Sequence, residues 1–170
     1  MPNTAYNASQ KKKRISSIAG ILSIFLILFI DQVSKAVISS RLSVGQSIPI
    51  IKDILHITFV KNTGAAFGLF KNSTYFFIAV SITAIIIIGT VILGTVRKGN
   101  FSEKFRFNFS LILIMAGAFG NLIDRINLGY VIDFIDLRIW PVFNIADSAI
   151  TLGTTLLIIS FAKFDNKINI

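Results

Sequence analysis

Apolar residues fall into four long runs, at about 15–37, 75–96, 107–123 and 145–161, separated by polar segments. The second run carries no Asp, Glu, Lys or Arg and is long enough to span a bilayer as a helix. The third and fourth sit near the lower limit of about 17 residues for a span. Each of these two has polar residues at one end, Asn121-Asp124-Arg125 and Asn144-Asp147. The pattern predicts an all-α membrane protein of four transmembrane helices. Between the first two runs, Leu55-His56-Ile57-Thr58-Phe59-Val60 is β-branched and aromatic and predicts a strand. Asn62-Thr63-Gly64 signals a turn and Pro49 a break, so a small β-containing loop on the outer membrane surface is expected. No internal repeat is visible.

The first run follows Lys11-Lys12-Lys13-Arg14, the arrangement of a secretory signal peptide. Asp31-Gln32-Val33-Ser34-Lys35 stands where a small-residue cleavage site would be, so the run reads as a membrane helix preceded by a cytoplasmic tail at 1–14. Composition agrees. Of 170 residues 54% are hydrophobic and the mean hydropathy is +0.75, more apolar surface than one soluble domain of this size can hide. The net charge of +9 is unevenly placed. Segments 1–14, 97–106 and 163–170 hold ten Lys/Arg and two acids, net +8, and the remainder holds seven and six, net +1. The positive-inside rule then puts both termini and the 97–106 loop in the cytoplasm and the 38–74 and 124–144 loops outside. This explains the basicity without a nucleic-acid partner.

The chain has no cysteine and a single histidine, His56. Disulfides, thiol nucleophiles, multi-histidine metal sites and Ser-His-Asp chemistry are thereby disfavoured, and no metal or cofactor is expected. What remains is carboxylates. Asp31, Asp124, Asp133 and Asp147 all fall at or near the outer ends of spans or in the loop joining the last two. Each alone can be a solvated or paired headgroup-level residue, but four converging on one membrane face indicate a site. Asn144 and Asp147 share a helix face at i, i+3, and Ala146 between them admits close approach of a neighbouring chain. Asn121, Asp124 and Arg125 share another face. In Val131-Ile132-Asp133-Phe134, an extended segment, Asp133 can face Asp147 if the loop folds back. Two facing carboxylates share one proton, and such a pair can activate water against an amide. Asp124 has a competing role as a brace with Arg125 and Asn121, Lys35 can snorkel to the interface, and Asp136 reads as a solvated loop residue or a partner of Arg138. His56 reads as a strand residue. Gly117 and Gly120 suggest close helix packing rather than a phosphate loop. Phe67, Leu69 and Phe70 suggest a membrane-dipping, lid-like element.

Five segments together resemble the signature of the lipoprotein signal peptidase (signal peptidase II) family. They are Asp31-Gln32-Val33-Ser34-Lys35, Asn62-Thr63-Gly64-Ala65-Ala66-Phe67-Gly68, Gly120-Asn121-Leu122-Ile123-Asp124-Arg125, Val131-Ile132-Asp133-Phe134 and Phe143-Asn144-Ile145-Ala146-Asp147-Ser148-Ala149. The resemblance implies an intramembrane aspartyl endopeptidase of the bacterial cytoplasmic membrane. Its substrates would be diacylglyceryl-modified prolipoproteins, cut before the lipidated cysteine, and globomycin, a cyclic peptide, would inhibit it. It implies Asp133 and Asp147 as the catalytic pair. Around them it implies binding or supporting roles for Asp31, Lys35, Asn62, Gly64, Phe67, Asn121, Asp124, Arg125, Asn144 and Ala146. Other readings of the composition are a transporter or channel, which expects acids near mid-membrane, and a membrane scaffold without activity.

Overall fold

The structure is a computed structural model and describes residues 3–64, 70, 72–98, 101 and 104–165. The order of elements is α1 (Asn3–Arg41), β1 (Ser47–Ile51), β2 (Leu55–Asn62), α2 (Thr74–Arg97), α3 (Phe105–Leu128), β3 (Val131–Asp136) and α4 (Ile145–Asp165). All four helices contain a stretch long and apolar enough to cross a membrane: Ile18–Arg41, Thr74–Arg97, Phe105–Leu128 and Ile145–Ala162. Helix α1 begins at Asn3 rather than near residue 15, so the basic segment continues the first span as helix. Helix α3 runs five residues past its expected end. It stops at Gly129, which takes φ of 79° and donates its N–H to the Arg125 carbonyl at 3.1 Å. That left-handed turn suits glycine and sends the chain directly into β3.

Helix α3 is the centre of the bundle. Over an apolar 18-residue part of its spanning stretch 61% of residues are buried, against 11%, 0% and 17% over the corresponding parts of α1, α2 and α4. The outer three helices expose large apolar side chains such as Leu22, Phe25, Ile86 and Ile158, as lipid-facing helices do. Between helices the driving force is close packing, and small residues permit it. A Cβ on Gly117 would run into the Ala146 carbonyl of α4, and one on Gly120 would lie 2.6 Å from Asp31 Oδ2 and 3.1 Å from Ala146 Cβ. On the other face of this contact, Gly153 of α4 lies against Ser110 and Ile114 of α3.

The expected strand is β2, at the centre of an antiparallel sheet ordered β1-β2-β3. Pro49 does not break the chain. It lies within β1, an edge strand, where a missing N–H is tolerated. One face of the sheet buries Phe59, Ile132 and Phe134 with Leu42 just beyond α1, and Ile38 and Ile145 pack against this cluster. The sheet is therefore clamped to the C-terminal end of α1 and the N-terminal end of α4. The free side of β3 is closed by a bridge between Ile135 and Phe143, with Phe143 N–H donating to Ile135 O at 3.1 Å and Ile135 N–H returning at 2.8 Å. This bridge folds residues 137–142 back and delivers Asn144 beside Asp133.

Candidate active site

The start of α4 organises the site. Asn144 is the residue preceding the helix, and its Oδ1 accepts the Asp147 N–H at 2.8 Å while Asp147 Oδ2 accepts the Asn144 N–H at 3.2 Å. This is a reciprocal capping box, built from Asn and Asp. The Ala146 N–H is taken by Asp31 Oδ1 of α1 at 2.9 Å. Asp147 is thus held by its own helix end, with its second oxygen, Oδ1, accepting from Asn121 Nδ2 at 2.8 Å.

Asp133 on β3 is 1% exposed. Its Oδ2 accepts from Asn62 Nδ2 at 2.8 Å and its Oδ1 from Asn144 Nδ2 at 2.7 Å. Asn144 therefore touches both carboxylates, one through its side chain and one through its backbone. Asn62 is tied down in turn, its Oδ1 accepting the Gly64 N–H at 2.9 Å. Burial, and next the negative charge of Asp147, push the Asp133 carboxyl up to about 7, against the opposing hydrogen bonds of Asn62 and Asn144.

Behind the pair lies a buried ionic cluster. Lys35 Nζ sits 2.9 Å from Asp31 Oδ2 and 3.0 Å from Asp124 Oδ2, and donates to Asn121 Oδ1 at 3.1 Å. The Lys35 side chain is 2% accessible, so the snorkelling expected of it does not occur: its charge is neutralised inside the bundle. Asp124 is bonded to Lys35, to Gln32 at 3.0 Å and to the Ile132 N–H at 3.0 Å, rather than to Arg125, the partner expected of it as a brace. Consecutive helical residues do not face each other. Arg125 points instead into the cleft, donating to the Gly64 carbonyl at 3.2 Å and lying 4.9 Å from the centre of the Phe77 ring.

Asp133, Asp147, Asn62, Gly64, Asn121 and Arg125 line a cleft of about 360 Å³. Its floor continues along α3 through Ala118 and Ile114, and its walls are α2, through Phe77, Val80, Ser81 and Ala84, and α4, through Ile150. The cleft is polar at the sheet end and apolar toward the bundle. A chain lying along it would meet both carboxylates at the level where the helices end. Phe67, expected in a lid, lies outside the described residues, as do Ala65, Ala66, Gly68 and Leu69.

Comparison with known proteins agrees with this architecture. The sequence profile described as signal peptidase (SPase) II matches residues 23–163. Lipoprotein signal peptidases of Moorella thermoacetica and Clostridioides difficile are 44% and 42% identical to the chain, over 81% and 86% of it and 88% and 97% of their own lengths. The chain belongs to the signal peptidase II family. Two solved structures, each described as a bacterial membrane enzyme determined by the in meso method, superpose with TM-scores of 0.75 and 0.71 at 35% identity. They cover 85% and 84% of this chain and 88% and 92% of their own.

Within this signal peptidase fold the candidate site residues that lie among the described residues gather at one place. Asp136 lies elsewhere on the sheet. It is buried rather than solvated, accepting from Thr58 Oγ1 at 2.8 Å and pairing with Arg138 at 3.1 Å. Burial alone would raise its carboxyl, but the hydrogen bonds from Thr58 and Arg138 outweigh it and hold the group below the usual carboxylate range. Sequence reasoning passed over Gln32, whose Nε2 bridges Asp31 at 3.1 Å, Asp124 at 3.0 Å and the Gly120 carbonyl at 3.2 Å. An amide inside an apolar run, one residue from Asp31, was the available signal. It also passed over Phe77 and Ser81, which carry no signal until α2 is packed on α3.

Proposed function

We propose that the chain is an intramembrane aspartyl endopeptidase that removes the signal peptide from bacterial prolipoproteins, cutting before the diacylglyceryl-modified cysteine. The observation that supports this reading most is the position of Asp133 and Asp147. They are bridged by Asn144 at the polar, sheet-side end of a cleft that is mostly apolar toward the bundle. A signal peptide is apolar and a lipidated residue must be met at the membrane surface. Water is available at that level and scarce below it. One carboxylate takes a proton from water as the water attacks the scissile carbonyl, and the other donates to the carbonyl oxygen. Asn62, Asn121 and Asn144 keep the two carboxylates oriented, and Arg125 and Gly64 line the peptide's path. Asp31, Lys35, Asp124 and Ala146 hold α1, α3 and α4 together beneath the pair. The enzyme sits in the cytoplasmic membrane with its site at the outer face, and globomycin would occupy the same cleft.

The test is release of signal peptide from a lipidated precursor by purified protein in detergent. Asp133→Asn and Asp147→Asn should each abolish turnover while the protein stays folded. The double variant should lose about as much as either single one, because residues acting as a unit are not additive. Near-normal cleavage by either single variant would remove that residue from the pair.

A further inference from the structure

We propose that Lys35 is a positioning residue that places the shared proton: acting through Asn121, it holds the negative charge on Asp147 and leaves the proton on Asp133. This inference rests on the aspartyl reading above and deepens it.

The argument begins with a buried ammonium. Lys35 is a donor only. Two of its hydrogens meet Asp31 and Asp124, and the third meets Asn121 Oδ1 at 3.1 Å. Asn144 Nδ2 approaches the same oxygen, also at 3.1 Å. The Asn121 amide therefore has one tolerable orientation, with its oxygen toward Lys35 and its NH2 toward Asp147 Oδ1 at 2.8 Å. Flipped, it would set donor against donor at Lys35 and acceptor against acceptor at Asp147. The charges of Asp31 and Asp124 offset that of Lys35 at longer range, and each is further satisfied by a backbone N–H, of Ala146 and Ile132. What reaches Asp147 is the fixed direction and the polarisation of one amide.

The two carboxylates are then unequal. Asp147 receives that polarised amide on one oxygen and, on the other, the Asn144 backbone N–H at the N-terminus of α4, where the helix dipole favours negative charge. Among the described residues Asp133 receives two neutral side-chain amides, from Asn62 and Asn144, and beyond them the more distant charge of Lys35. Among the described residues the charged groups around the pair are Asp31 and Lys35 from α1, and Asp124 and Arg125 from α3. From β2 and α2 it meets neutral residues, Asn62 and Phe77 among them. The rise of Asp133 to about 7, by burial and then by the charge of Asp147, agrees with a proton resting there near neutral pH.

The step is then directional. Asp147 takes a proton from water as the water oxygen bonds to the scissile carbon, and Asp133 gives its proton to the carbonyl oxygen. On collapse, the carbon–nitrogen bond breaks, Asp147 returns its proton to the leaving amine, and Asp133 recovers one from the diol. The pair ends as it began.

The experiment compares wild-type protein with Lys35→Gln and Lys35→Arg, confirming folding by thermal denaturation and measuring kcat/KM against pH on a lipidated precursor. Lys35→Gln should move the acidic limb up by about one pH unit, lowering activity on that limb about tenfold through kcat with little change in KM. Lys35→Arg, which keeps a donor-only cation, should keep the limb near its wild-type position. An unmoved limb in Lys35→Gln, or an equal shift in Lys35→Arg, overturns the inference. If Lys35→Gln does not fold, infrared titration decides. A protonated carboxyl band titrating near neutral pH in the wild type should vanish from that range in Asp133→Asn and persist, displaced to lower pH, in Asp147→Asn. Loss of the band only in Asp147→Asn reverses the assignment. Normal cleavage by both Asp→Asn variants would instead reject the aspartyl reading itself.

Discussion

Asn144 belongs to three local structures at once: it caps α4, it hydrogen-bonds Asp133, and it fixes Asp147 through its backbone. Asn144→Ala removes the first two and loosens the third. Loss of a cap costs about 0.5–2 kcal/mol, and a misplacement on the order of 1 Å at a reacting group costs on the order of a hundredfold in rate. The expected result is a modest fall in melting temperature with a far larger fall in kcat. Equal loss in both would reduce Asn144 to a structural cap. Asp133 makes a different prediction. Its folded carboxyl is raised to about 7 from 3.8, so the folded state binds the proton more tightly than the unfolded chain. Its protonation favours folding below the unfolded value, and that contribution is lost as pH rises through about 7. Asp133→Asn removes the penalty, so this variant should be more stable than wild type at pH 8, by on the order of 1–3 kcal/mol, and not at pH 4. Thermal unfolding in detergent at the two pH values reads this directly.

The α3–α4 contact decides whether the site is assembled. Gly117 lies against the Ala146 carbonyl and Gly120 against Asp31 and Ala146 Cβ, so the two helices meet backbone to backbone at the level of the dyad. A methyl at Gly117 has only backbone and Ile150 to push against. Overpacking of this kind costs about 1–3 kcal/mol, and here it also displaces Asp147 from Asn121. Gly117→Ala should therefore lower both melting temperature and cleavage. Gly94→Ala on α2, where an added Cβ meets nothing within 4 Å, should leave both unchanged and serves as the control. The existence of these helices was legible from their apolar runs. Their lengths were not, since α3 is extended by a glycine turn and α1 by a polar, basic segment that propagates helix without contributing apolar signal.

For the whole molecule the charge asymmetry predicts an orientation. With net +8 on segments 1–14, 97–106 and 163–170, a reporter fused after residue 170 should be active only when it is one that works in the cytoplasm. Activity of an exported reporter at that point would invert the topology and put the sheet on the cytoplasmic side. In the expected orientation the three-stranded sheet lies at the outer surface. Phe67→Ala is expected to weaken handling of membrane-embedded substrate without unfolding the protein.

The sequence by itself determined the four spans, the strand at 55–60, the chemistry available in the absence of cysteine and of more than one histidine, and the carboxylates on which a site would be built. Those properties are local: an apolar run needs lipid, an alternating segment needs a sheet, and a residue inventory excludes reactions without any coordinates. Only the tertiary structure decided the partners. Lys35 can snorkel or be buried according to what lies across from it, and two carboxylates on α1 and α3, 93 positions apart, chose burial. Asp124 turned to Lys35 rather than its neighbour Arg125 because helix geometry separates adjacent side chains. Asp133 and Asp147 came together because the Ile135–Phe143 bridge folds an otherwise irregular loop back onto β3. Pairings across the bundle depend on which helix faces which, and that is a property of packing, not of any segment read alone.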